Sequence, residues 1–200
     1  MGNKKENRRT RTMKRLTLIL VAAFVVGLPL TASAVTLTFD EFPIGTVVSN
    51  QYAPQGVVFL QGFNGNFPII TPDVAMPTSP VLSPNPPFAG DFTIRFPSGA
   101  TGVSFLSGFW DTPNSGLIQV FSPSNAPLGT FTNAGTGVQT FNFDGALIGR
   151  IYFNSVSDPA GADIDNLTFS PIPEPSTLLL LGSSLAGLGG GFAWRRRHRN

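Results

Sequence analysis

Apolar residues recur at every second position in short runs through the middle of the chain, and Gly, Pro, Asn and Asp cut the runs apart. Such alternation turns one row of side chains toward a core and the next toward solvent, as in a half-buried β-strand. Candidate strands fall at residues 35–39, 56–60, 92–96, 103–105, 117–121, 129–132, 138–143, 148–153 and 164–169. No stretch of residues 35–170 keeps the period of an amphipathic helix over about 11 residues. Short strands at this spacing predict an all-β fold, a two-sheet β-sandwich whose inner faces meet in one core. The chain's 18 Phe concentrate in these runs, which suits such a core better than a set of exposed rings.

Residues 71–90 break the pattern with Pro72, Pro77, Pro80, Pro84, Pro86 and Pro87. Proline cannot donate to a ladder, so the segment is predicted to be a surface loop, either a connector or the rim of a binding site. The Gly-rich loop at residues 62–67 is a second candidate rim.

The two ends read differently. Residues 1–34 combine a basic start, an apolar run at 16–30 and Ala32-Ser33-Ala34, the signature of a secretory signal helix with small residues before cleavage. The expected mature chain begins at Val35, and Met13 offers an alternative start for a shorter signal. At the other end, Pro171-Ile172-Pro173-Glu174-Pro175 can continue neither strand nor helix. An uncharged segment follows and ends at Arg195, Arg196, Arg197, His198 and Arg199. A helix over 177–194 would span roughly 27 Å at 1.5 Å per residue, enough for a bilayer core. Basic flanks stay on the cytoplasmic side, so both ends inside place residues 35–170 outside. The expected organisation is therefore a signal peptide at 1–34, an ectodomain at 35–170 and a membrane-directed tail at 171–200.

Charge sharpens this picture. Between residues 35 and 170 the cations are Arg95 and Arg150, against Asp40, Glu41, Asp73, Asp91, Asp111, Asp144, Asp158, Asp163 and Asp165, so the middle is acidic by seven charges, nine minus two. Phosphate binding needs clustered cations, which argues against a nucleic-acid partner. The chain has no Cys, and its one His, His198, lies beyond the apolar tail segment. Without His, Lys or Cys the ectodomain lacks the nucleophile–base pairs of His-dependent hydrolases, a Schiff-base lysine and a His-ligated zinc site. The expectation is a protein that is not an enzyme. A carboxylate pair drawn from Glu41 and the aspartates, acting on extracellular glycan, is the catalytic alternative.

The tail, with Pro173, Glu174 and Pro175, the apolar segment and the terminal Arg cluster in that order, resembles the PEP-CTERM sorting signal of Gram-negative bacteria. That resemblance implies export, transient membrane anchoring and processing by an exosortase near the Pro-Glu-Pro motif. The opening Phe39-Asp40-Glu41-Phe42-Pro43 and Gly45-Thr46, with Gln51-Tyr52 and Gly56-Val57, together with the closing residues 163–169, resemble PEP-CTERM ectodomains similar to jelly-roll carbohydrate-binding modules. The implied fold is a jelly roll, and the implied cofactor is a structural calcium near the two termini.

Asp40 and Glu41 close the first predicted strand while Asp163 and Asp165 open the last, and first and last strands neighbour each other in many jelly rolls. If they do so here, these four carboxylates would share a calcium ion, which takes six to eight oxygens. Ordinary turn chemistry at strand ends is the competing explanation. Tyr52, Trp110 and Asp111 are candidates for an aromatic and polar sugar contact, although Phe105, Leu106 and Phe109 beside Trp110 favour its burial. The functional expectation is an exported surface or matrix protein contacting exopolysaccharide or other surface components such as neighbouring proteins, with a purely structural matrix protein as a further alternative.

Overall fold

The computed structural model describes residues 33–173. The predicted signal helix, the predicted membrane helix at 177–194, Glu174, Pro175, Arg195, Arg196, Arg197 and Arg199 lie outside the described residues. Among the described residues no helix is long and apolar enough to cross a membrane.

The domain is built of strands, with one short 3₁₀ turn at Ala53–Gln55. The strands are β1 (Val35–Leu37), β2 (Val58–Leu60), β3 (Ile69–Thr71), β4 (Val81–Ser83), β5 (Asp91–Trp110), β6 (Leu117–Phe121), β7 (Pro127–Phe131), β8 (Gly137–Phe143), β9 (Ile148–Asn154) and β10 (Asp163–Pro171). All named pairings are antiparallel.

The 20-residue β5 organises the molecule. Its first part, around residues 91–95, lies between β2 and β9, and β6 and β7 continue that front layer. Its second part, around residues 100–110, lies between β8 and β10. On its far side β10 carries β4 at its beginning and β1 at its end, and β3 pairs β4. The register slips between Arg95 and Ala100, where Pro97 and Gly99 interrupt the ladder and Gly99 takes φ +87°. A bulge with a left-handed glycine bends a strand sharply, and here it carries β5 from one layer into the other. Residues 92–96 and 103–105, read separately in the sequence, are thus two ends of one strand.

The rings meet between the layers. Phe96 of the front layer lies 5.1 Å from Phe169 of the back, and Phe153 contacts both Phe105 and Trp110. A second aromatic group, Phe39, Tyr52 and Phe59, packs edge to face next to β2. Phe39, Phe59, Phe92, Phe96, Phe105, Phe153 and Phe169 are among the fully buried side chains, which accounts for much of the Phe content. Complete burial of each ring contributes about 2–3 kcal/mol before packing terms.

The all-β two-layer prediction holds, and β1 does neighbour β10, with Val35 opposite Phe169. One expectation fails. The Pro-rich segment 71–90 is not wholly a surface loop, because Val81, Leu82 and Ser83 form β4 between β3 and β10 and are buried. Pro80 and Pro84 flank this strand without entering it, so its own N–H groups remain available.

Candidate functional site

Tyr52 and Trp110 are 3% and 2% exposed, so neither ring offers a face to a ligand. Tyr52 packs against Phe39, Phe42 and Phe59 and donates its hydroxyl to Glu41 Oε2 at 2.8 Å. Burial, and then the bond to Glu41, push the phenol well above its ordinary pKa. The Trp110 indole N–H donates to Ser107 Oγ at 3.0 Å, so its polar tip is satisfied inside the core. Asp111 is exposed, and its backbone N–H and that of Thr112 point to Asp158.

The four predicted calcium ligands are not gathered around one point. Glu41 is committed to Tyr52, and Asp165 accepts from the Thr78 hydroxyl and from the Asn166 N–H at 2.7 Å. Burial raises the Asp165 carboxyl, these two bonds oppose it, and the charge of Asp40 adds to the rise. Asp163 faces Asp73 instead. Its Oδ1 accepts from the Gly108 N–H at 3.0 Å, while Oδ2 of Asp163 and Oδ2 of Asp73 have no donor. Among the described residues no group of three or more acidic or histidine side chains is arranged to hold a metal. Calcium takes six to eight oxygens, so an ion at this pair would need backbone carbonyls or water beyond the two inward carboxyl oxygens. Burial first, and the Asp73 charge next, push the Asp163 carboxyl up to about 8. A carboxyl in that state keeps its proton at neutral pH and can donate it across the pair.

A different surface carries exposed chemistry. On the outer side of the front layer, Thr93, Tyr152 and Gln119 stand opposite one another across β5, β9 and β6. The neighbouring row is Arg95, Arg150 and Phe121. Their inward neighbours Ile94, Phe96, Ile151, Phe153, Ile118 and Val120 are buried, so strand alternation turns both rows outward. Tyr152 is half-buried, and its hydroxyl accepts from Asn154 Nδ2 at 2.9 Å. Burial and the Asp91 charge raise its pKa to about 12, which leaves a neutral phenol at physiological pH.

Phe63 stands beside it, 89% exposed, with ring centroids 5.8 Å apart and planes at 73°. An apolar ring so open would ordinarily be carried by a mobile tip, but this loop is tied down. Both carboxylate oxygens of Asp91 accept the Phe63 N–H, at 3.1 and 3.0 Å, and the Gly62 N–H reaches Asn66 O at 3.0 Å. Gly62 permits this approach, since a Cβ there would lie 2.1 Å from the Asp91 carbonyl oxygen. The loop at residues 62–67, a candidate rim in the sequence, thus sets one ring at the border of the sheet face. Tyr152, Thr93, Gln119, Arg95 and Arg150 escaped the sequence reading. The alternation in residues 148–153 implied that one of Tyr152 and Phe153 points outward, but only the strand register says which residues join it.

Comparison with known proteins adds a class to one end of the chain. Residues 171–197 match the model of the PEP-CTERM protein-sorting motif, which implies export, a C-terminal membrane anchor and exosortase processing. Curated proteins include no match to the chain. Among solved structures, the chain is similar to a mutant family 29 carbohydrate-binding module, at 16% identity over 72% of this chain and 99% of that one, with a TM-score of 0.31. It is also similar to a family 6 carbohydrate-binding module, at 18% identity over 71% and 95% of the two chains and a TM-score of 0.28. The Podospora anserina GH26-CBM35 β-(1,4)-mannanase matches at 15% identity over 72% of this chain and 29% of its own, with a TM-score of 0.32.

Proposed function

We propose that this protein is exported by a Gram-negative bacterium, sorted at its C-terminus by an exosortase, and retained at the surface or in the biofilm matrix, where its sandwich binds exopolysaccharide without catalysis. The observation that carries the binding part is the outer face of the front sheet. There Tyr152 and the anchored Phe63 offer aromatic surface beside Thr93 and Gln119, which supply hydroxyl and amide groups. Sugar rings have an apolar face and a polar edge, and rigid aromatic surface with neighbouring hydrogen-bonding groups complements both.

Support for a non-catalytic role comes from where the unusual carboxyl sits. Asp163 has the raised pKa that a general acid needs, yet it is 0% exposed and its acidic neighbours are Asp73 and Asp165. Glu41, the sequence candidate for a catalytic carboxylate, accepts from a buried phenol.

The test is retention of the full-length protein, purified in detergent, on immobilised polysaccharides from its host's matrix. Tyr152→Ala and Phe63→Ala are expected to weaken retention about five- to tenfold each, because stacked rings contribute roughly 1–1.5 kcal/mol each, and the exposed Phe63→Ala leaves the melting temperature nearly unchanged. Equal retention of both variants would sink the assignment to this face. Absence of retention for the unaltered protein would favour the purely structural matrix role. Release of reducing sugar would favour the enzyme.

A further inference from the structure

Arg95 and Arg150 are the only Lys or Arg residues between positions 35 and 170, and the fold makes them direct cross-strand neighbours in the β5–β9 ladder. Two like charges directly opposite each other on one face are destabilising. Nine acids in the same stretch are available as neighbours, yet the contacts of the Arg150 guanidinium go to uncharged partners. The two arginines are held side by side, on the aromatic face described above.

The surroundings are built to hold one guanidinium in place without neutralising it. Arg150 Nε donates to Asn125 Oδ1 at 3.1 Å, and its guanidinium carbon lies 3.7 Å above the centre of the Phe121 ring. Both partners are uncharged. They use one N–H and one face of the planar group, and the terminal nitrogens remain for another acceptor. Asn125 is itself fixed, in the left-handed region at φ +63°, within a turn closed by its N–H to Ser122 O at 2.9 Å. Gly149 lets that turn pack onto β9, since a Cβ there would come within 2.5 Å of the Pro123 backbone. Between the turn and β5 lies an open cavity of about 280 Å³, lined by Arg95, Arg150, Asn125, Ser122, Leu60 and Phe96 among others. That volume lies just below the roughly 300–1,000 Å³ of small-ligand sites.

We propose that Arg95 and Arg150 together bind the carboxylate of a uronate unit in an acidic polysaccharide, with the Tyr152–Phe63 surface contacting adjoining sugars. The proposal rests on the reading of the front-sheet face as a glycan-binding surface and specifies the charge of the glycan. A carboxylate between the two guanidinium groups replaces their repulsion with two charge-assisted attractions, and a planar fork matches its two oxygens. The acidity of the rest of the domain makes the specificity local, because away from this pair the surface repels a polyanion.

The test uses the full-length protein in detergent with three probes: alginate as the polyuronate, dextran as a neutral polymer, and free glucuronate. Alginate binding is expected to fall at least tenfold in Arg95→Gln and in Arg150→Gln, and to fall for the unaltered protein between 0.05 and 0.5 M NaCl. Arg95→Gln should melt at the same or a higher temperature, since it removes the like-charge pair, so its loss of binding is separate from unfolding. Dextran binding that equals alginate binding, or alginate binding indifferent to both substitutions, overturns the proposal and leaves the glycan-binding face standing. Glucuronate binding as tight as the polymer's overturns the polysaccharide and assigns the pair to a free anion. If neither polymer nor glucuronate binds, both the proposal and the binding face fall.

Discussion

Phe153 on β9 meets Phe105 on β5 edge to face across the two layers, with centroids 6.4 Å apart and planes at 72°. Phe92 and Trp110 close around the same ring at 5.1 and 5.9 Å. Phe153→Ala would therefore open a cavity walled by three other aromatics that cannot collapse into it together. The expected loss is about 3–5 kcal/mol in urea unfolding, against roughly 0.5 kcal/mol or less for Phe63→Ala at the exposed rim. Equal costs at the two positions would contradict the layer assignment.

Asp158 is a buried carboxylate that gathers two loops. It accepts from the Ser115 hydroxyl at 2.6 Å and from the N–H groups of Thr112, Ala160 and Gly161 at 3.1–3.2 Å. Burial works against its charge, but these donors outweigh burial and hold its pKa below the ordinary value. A depressed folded pKa gives stability that is present above the unfolded pKa and lost as pH falls through the folded one. Asp158→Asn turns an amide donor toward donors, and the expected cost at pH 7 is about 2–3 kcal/mol in chemical denaturation. The same variant should lose less than the unaltered protein between pH 5 and pH 3.

How much of this was readable beforehand follows from the kind of signal involved. Period-two alternation is local, and it placed β6, β8, β9 and β10 within a residue or two. β4 was hidden because its three residues lie among prolines, and what makes it a strand is the edge of β10, more than 80 positions away. The bend in β5 was likewise invisible, since a strand that changes layers and two strands with a turn share the same local pattern. For the site the divide is the same. Tyr52 and Trp110 attracted attention by residue type, but burial decides what an aromatic does, and burial is a tertiary property. Arg95 and Arg150 are 55 positions apart, and only ladder register brings them together.

Asp163 predicts an opposite response at higher pH. Its carboxyl faces Asp73, with Asp165 as the next acidic neighbour, and is raised from 3.8 to about 8. The folded protein thus binds one more proton than the unfolded chain between those values. Stability contributed by that proton is full below the unfolded pKa and is lost as pH rises through about 8. Thermal melts of the unaltered protein should fall in Tm from pH 5 to pH 9. Asp163→Asn, whose amide donates to Asp73 without titrating, should flatten that slope and melt higher than the parent at pH 9. A Tm independent of pH across this range in the parent would remove the shared proton.

Gly62 links the fold to the proposed binding face. Its lack of a side chain brings the 62–67 loop against β5, so that the Phe63 N–H reaches Asp91 and the Phe63 ring reaches Tyr152. In Gly62→Ala the new Cβ would meet the Asp91 carbonyl oxygen at 2.1 Å, a backbone atom held in the β5–β9 ladder that cannot yield. The loop must move instead, at a cost of about 1–3 kcal/mol. Because the Asp91 carboxylate then loses its donor, Phe63 leaves Tyr152 and the aromatic surface is divided. Polysaccharide retention should fall as far in Gly62→Ala as in Phe63→Ala, with a lower Tm only in the former. A Gly62→Ala protein that binds normally would mean that Phe63 acts without its anchored position.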